Sequence, residues 1–119
     1  MDFNLTEDQE LIRRAMREFA QEYVAPIAEE IDENSSWPAD LYAKLGEKGW
    51  MGMPFPEEYG GSATSYVAYA GAIEELAQFC AATAFNVSVH TGVACMCINN
   101  FGSDQQKKTY LAPLAQGKI

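Results

Sequence analysis

Apolar residues recur at helical spacing along most of this chain. Leu11, Ile12, Ala15, Met16, Phe19, Tyr23, Ile27 and Ile31 fall three or four positions apart, the period of one helix face. Arg13, Arg14, Arg17, Glu18, Glu22, Glu29 and Glu30 fall largely on the other side. The pattern predicts a helix starting at Thr6, where Thr6 and Gln9 make a capping-box pair and Glu7 and Asp8 suit the positive end. Pro26 lies inside the pattern and removes one backbone donor, so a kink or interruption is expected there. The acidic run Glu29, Glu30, Asp32 and Glu33 reads as a solvated face.

A short second helix is predicted from Pro38, with Leu41 and Leu45 on its apolar side and Gly49 as its stop. The stretch "WMGMPFPEEYGGSATS", positions 50 to 65, holds two prolines and adjacent glycines, the signature of a structured loop. Trp50, Phe55 and Tyr59 are expected to pin it to the core. A third helix, Tyr66 to Phe79 or Cys80, is rich in small residues and is expected to be central. Its Glu74 and Glu75 read either as surface charges or as a packed polar contact. A fourth helix is predicted from about Ala84 to Phe101. A fifth follows Gly102, with Ser103 as N-cap and Gln106 as its capping-box partner, running from Asp104 to about Ala115 and ending before Gly117. No strand pattern and no repeat is present, so the fold class is all-α, a bundle of five to six helices.

Composition narrows the functions. The chain has 119 residues and a net charge of −9, a balance that speaks against nucleic acid or an anionic membrane as partner. No apolar run follows a basic start, and the opening "MDFNLTEDQE" is acidic. Neither a signal peptide nor a transit peptide is therefore read, and Cys80, Cys95 and Cys97 are expected as free thiols in a reducing, cytoplasmic setting. The stretch from Leu76 to Ser103 contains no Asp, Glu, Lys or Arg. Gln78, Asn86, Ser88, His90, Asn99 and Asn100 interrupt it, and Thr83 with Asn86 suggests a break near its middle. It reads as a helix buried in protein rather than a membrane span.

Candidate chemistry is sparse. Cys95 and Cys97 are two apart, which on a helix turns them about 200° from each other, so they do not chelate one ion. Structural zinc also needs four ligands, and no metal site is expected. His90 and Cys97 are seven apart, two turns along one face and too far for a direct hydrogen bond, so no catalytic dyad is expected. His90 reads as a packing residue or one facing a ligand cavity. "YGGS" lacks the spacing of a phosphate loop. Val89, Gly92, Val93 and Met96 share one helix face, and a glycine there suits close approach by another helix or by a ligand chain. The residues alone show a helical domain with an uncharged central hairpin and no catalytic group.

Three stretches go further. "LTEDQE" at the start, "GMPFPEEYGG" in the loop and "FGSDQQKKTYLAPLAQGKI" at the end resemble the acyl-CoA dehydrogenase family, in the order and spacing of its N-terminal helical domain. "AIEELA" in the third helix fits as well. The resemblance implies an orthogonal-type helical bundle belonging to FAD-dependent enzymes that introduce an α,β double bond into an acyl-CoA, as in fatty-acid β-oxidation. Such subunits have a middle β domain and a C-terminal helical bundle, and usually assemble as tetramers. Electron-transfer flavoprotein commonly reoxidises the flavin. The family's catalytic glutamate belongs to the later bundle and has no counterpart in this sequence. The chain is therefore expected to be the N-terminal module alone, inactive and without bound flavin. Residues 1–119 are expected to form one domain that stops at the border of the β domain. By position in the family, Asn86, Val89, His90 and Val93 would face the far end of the acyl chain, and the two valines would favour short or medium chains. A cytoplasmic setting is implied for a prokaryotic enzyme and the mitochondrial matrix for a eukaryotic one. The alternatives are a stand-alone helical interaction domain, or a module of an acyl-CoA oxidase or flavin monooxygenase. An apolar patch is expected on the isolated chain.

Overall fold

The computed structural model describes residues 1–119, all in a helical fold without strands. Five helices make it. Helix α1 covers residues 7–34 in four joined pieces: Glu7–Phe19, a π turn at Ala20–Val24, a 3-10 turn at Ala25–Ile27, and Ala28–Asn34. Thr6 caps it, accepting from the Gln9 N–H while the Gln9 side chain accepts from the Thr6 N–H. The interruption falls at Pro26, whose ring leaves a carbonyl one turn earlier without its donor. Helix α2 is Ala39–Glu47 and α3 is Tyr66–Phe79. Helix α4 is Ala81–Phe101, with a π turn at His90–Cys95. Helix α5 covers residues 104–115, opened by the reciprocal Ser103–Gln106 capping box.

The break between α3 and α4 is sharper and earlier than the sequence suggests. Cys80 alone is extended, at φ −156° and ψ 104°, and Ala81 already starts the next helix. The expected break near Thr83 and Asn86 does not occur. Both residues sit inside α4, where Thr83 turns its hydroxyl onto the Cys80 sulfur.

α3 is central, as its small residues predict. Ala68, Gly71, Ala72 and Leu76 are buried against α1. The interface also holds charge, and of the two readings open for Glu75 the packed polar contact is the one observed. Glu75 has no exposed side-chain surface. It accepts from Arg13 Nη2 at 2.7 Å, Arg17 Nε at 2.9 Å and Arg17 Nη2 at 2.8 Å. Arg13 and Arg17 therefore turn their guanidiniums onto α3, Arg17 staying half exposed, while Glu74 takes the packed Arg13 from the outer side at 3.1 Å. A buried carboxylate is tolerated only when its charge and lone pairs are met, and two guanidiniums meet them here. Arg17 first, and then Arg13, hold the Glu75 carboxyl below the usual carboxylate range. Leu11 and Ala15, predicted on the core face of α1, are exposed instead.

Two apolar clusters fill the fold. The larger joins α1, α2, α3 and the first half of α4 through residues such as Met16, Phe19, Leu45, Leu76 and Val87. The smaller gathers Phe55, Tyr59, Cys95, Leu111 and Ala115. The loop aromatics thus pin the 50–65 segment as predicted, Phe55 and Tyr59 into the smaller cluster and half-buried Trp50 edge-on to Phe19. Gly61 is required in this loop, because a Cβ there would collide with the Phe55 carbonyl. Gly117, at φ 67°, ends α5 and lies against Gly46 of α2. The whole is a slab, 41 × 41 × 20 Å.

Candidate functional site

A thin slab leaves its outermost helices half covered, and α4 is the one that lacks charge to dress its open side. It packs on α3 with its first half and on α5 with its second. Val87, Thr91 and Cys95 lie inward, all essentially inaccessible. Phe85, Val89 and Val93 lie outward, 68%, 40% and 60% exposed. The expectation of a helix buried in protein therefore holds within this chain for the inner side of α4 and not for the outer one. Gly92 sits among the outward residues with no heavy atom within 4 Å of where its Cβ would be. No second helix makes the close approach that the glycine suggested.

Helix α4 has the length and composition to cross a membrane, with mean hydropathy 1.4 over its most apolar window. Three of its polar side chains nevertheless make hydrogen bonds within the fold. Thr91 donates to the Val87 carbonyl at 2.9 Å and lies against the Tyr69 hydroxyl. Asn86 Nδ2 donates to the Tyr42 hydroxyl at 2.9 Å. His90 Nε2 lies 2.9 Å from the Leu114 carbonyl, which fixes that nitrogen as the protonated one.

The four predicted site residues thus share one broad face of α4 and divide by role. Asn86 and His90 lie along its inner edge, tied to α2 and α5, and both border a cavity of about 240 Å³ that also touches Met51 and Ile119. Val89 and Val93 stay open beside them. Sequence reasoning missed Phe85, one turn before Val89 on the same face. The i, i+4 spacing that links it to Val89 is the signal that could have found it. It also missed Trp37 and Tyr42, whose rings stack in parallel 4.0 Å apart and which border the same cavity.

The titratable groups on this helix are His90, whose Nε2 is tied to the Leu114 carbonyl, and two cysteines. Cys95 is buried, and burial pushes its thiol up to about 12, so it is not a thiolate at neutral pH. Cys97 is exposed. The Gly60 and Gly61 N–H groups bond to the Glu57 and Pro56 carbonyls. They are unavailable to a phosphate. The arrangement is an apolar wall with two anchored polar residues at its edge.

Comparison with known proteins places this wall in context. The family "Acyl-CoA dehydrogenase, N-terminal domain" matches residues 6–118. A short-chain specific acyl-CoA dehydrogenase of Clostridium acetobutylicum is 47% identical over 99% of this chain and 31% of its own length. The mitochondrial short-chain specific acyl-CoA dehydrogenase of Rattus norvegicus is 35% identical over 95% of this chain and 27% of its own. The chain thus spans about a third of the length of the curated relatives it matches. Among solved structures, butyryl-CoA dehydrogenase from Megasphaera elsdenii aligns with a TM-score of 0.92 at 33% identity, over 99% of this chain and 32% of that one. A chain from work on the electron transferring flavoprotein of Acidaminococcus fermentans and flavin-based electron bifurcation aligns at 0.95 and 43%, over 98% and 31%. PigA, solved with FAD and proline, aligns at 0.92 and 26%, over 100% and 32%.

Proposed function

The chain belongs to the acyl-CoA dehydrogenase family as its N-terminal helical domain, and from that premise we propose that the outer face of α4 is one wall of an acyl-chain pocket. The observation that carries the reading is the continuous open stripe of Phe85, Val89, Gly92 and Val93. A surface of that kind, large and uncharged, marks a binding face. A hydrocarbon tail gains about 0.8 kcal/mol for each methylene it buries, and it asks nothing of the wall except the absence of unpaired polar groups. His90 meets that condition through its hydrogen bond to the Leu114 carbonyl, and the Asn86 Nδ2 is likewise engaged on the Tyr42 hydroxyl.

The proposed enzyme introduces an α,β double bond into a short- or medium-chain acyl-CoA. Its relatives named for short chains and for butyryl-CoA support that range. Phe85 and the two valines bring bulk to the wall, which limits how far a tail can extend. The flavin, which supplies the hydride acceptor when bound, is assigned to the enzyme as a whole, with PigA as the neighbour solved with FAD. This domain's share is apolar binding and exclusion of water. Electron-transfer flavoprotein is the proposed electron acceptor, in keeping with the neighbour from that system. A homo-oligomer in the bacterial cytoplasm or the mitochondrial matrix completes the reading.

The test is a chain-length profile. In a full-length acyl-CoA dehydrogenase carrying this domain, Val89→Gly should raise kcat/KM for octanoyl-CoA relative to butyryl-CoA by about tenfold, the worth of two methylenes. An unchanged ratio would remove α4 from the pocket.

A further inference from the structure

Away from the open stripe, the structure holds a larger cavity that neither Val89 nor Val93 borders. It lies where the end of α1, the turn at residues 35–38 and the α3–α4 corner meet, and measures about 530 Å³. We propose that this cavity is a second ligand site, suited to a small uncharged molecule with an apolar body and one amide-type group.

Size and lining come first. Ligand sites for small molecules run to roughly 300–1,000 Å³, mostly apolar with a few converging polar groups. Here Ile31, Pro38 and Phe79 give the apolar wall. The polar groups converge at one place, on Tyr42, Thr83 and Asn86. Tyr42 is 9% exposed, and its oxygen accepts from Asn86 Nδ2. That leaves the Asn86 carbonyl oxygen as an acceptor without a partner in the domain. Beside it, the Tyr42 hydroxyl has a proton to offer a ligand in place of its neighbour, the Thr83 hydroxyl. Burial raises the Tyr42 phenol above its usual range, so the hydroxyl keeps that proton at neutral pH. Thr83 is fully buried next to it, with its own proton on the Cys80 sulfur. One donor and one acceptor side by side match the carbonyl and N–H of a carboxamide.

Charge then selects against the alternatives. The cavity is bordered by one carboxylate, Asp32, and by no Lys, Arg or His. The chain as a whole carries −9. An anion would enter unpaired, at a cost of several kcal/mol for a group taken from water. Carboxylates and phosphates are thereby disfavoured. Trp37 stands at the mouth, 63% exposed, with one face laid flat on Tyr42 and the other free. A free indole face beside a hydrocarbon wall suits a flat apolar body.

Phenylacetamide and phenylacetate test the proposal, since they share a body and differ in head charge. Each is titrated into the isotope-labelled 119-residue chain, and binding is read from the Trp37 indole and Asn86 side-chain amide resonances. Phenylacetamide should give saturable shifts at both, and phenylacetate should bind at least about tenfold more weakly. Tyr42→Phe should weaken phenylacetamide about fivefold, the loss of one hydrogen bond, with the α5 resonances unmoved as proof of an intact fold. Ile31→Trp, which fills the cavity from the α1 side, should abolish the shifts. The proposal is overturned by no saturable shift in the unmodified chain, by equal response to acid and amide, or by undiminished binding in folded Tyr42→Phe. None of these outcomes bears on the α4 stripe, which phenylacetamide does not report.

Discussion

The inward and outward sides of α4 are drawn from the same short list of residues, yet they meet opposite surroundings. Val87, Thr91 and Cys95 face α3 and α5 and are sealed. Phe85, Val89 and Val93 face nothing within the domain. Hydrophobicity alone does not separate the two sides. What separates them is whether this domain supplies a neighbour. A helix that is apolar all round is built to be covered twice, and this chain covers it once.

Four measurements would break or sharpen that contrast. The largest effect is expected from a charge placed on each side in turn. Val87→Asp puts an unpaired carboxylate in the core and should cost more than about 3 kcal/mol of stability. Val93→Asp on the outer side should stay within about 0.5 kcal/mol in the isolated chain. Chemical denaturation reads both, and equal losses would erase the distinction between the faces.

The cysteines offer a second reading of the same two sides. Cys97 is exposed and Cys95 is buried, its thiol pushed up to about 12. A thiol reagent at neutral pH should modify Cys97 at least roughly a hundredfold faster than Cys95. Comparable rates, measured by mass spectrometry, would show that the inner face opens.

The α1–α3 interface provides the next contrast, a sealed contact that relies on charge. Glu75→Gln should destabilise the chain by about 2 kcal/mol at pH 7, less than a fully buried pair, because Arg17 can turn to solvent. Glu75 is held below the ordinary carboxylate range by Arg17 and Arg13. Its contribution is therefore full above the unfolded carboxylate value of about 4.3 and fades as pH falls through the lower folded value. The gap between wild type and Glu75→Gln should close in acid. A gap that persists below that range would mean that packing, not charge, holds the contact. The smallest effect belongs to the caps. Ser103→Ala should cost about 1 kcal/mol, and a silent mutation there would mean that α5 is held by its packing alone.

The fold was legible where local chemistry decides it. The Thr6–Gln9 and Ser103–Gln106 boxes, the Pro26 interruption and the Gly117 stop are all set within a few residues of themselves. The five helices follow from those signals and the 3.6-residue period. Partnership between distant segments was not legible. Arg13 and Arg17 look like a solvent face until Glu75, some sixty residues on, turns out to be buried beneath them. The same holds for the site. The share of α4 that lies open depends on the thickness of the slab, which no periodicity reports. Asn86, Val89, His90 and Val93 were expected from their position in the family resemblance, not from any pattern in the helix itself. Trp37 and Tyr42 were not, because no spacing rule connects a loop tryptophan to an α4 asparagine, whereas Phe85 lies within the i, i+4 rule from Val89.

The measurement that reaches the central claim most directly is a substrate footprint on α4. Val89→Cys is introduced into a full-length acyl-CoA dehydrogenase carrying this domain, and its modification rate is compared with and without saturating butyryl-CoA. The account predicts that bound acyl-CoA slows labelling at position 89 by about tenfold or more. Equal labelling at position 89 in both conditions would contradict it, since a wall of the acyl pocket cannot stay open to solvent when the pocket is full.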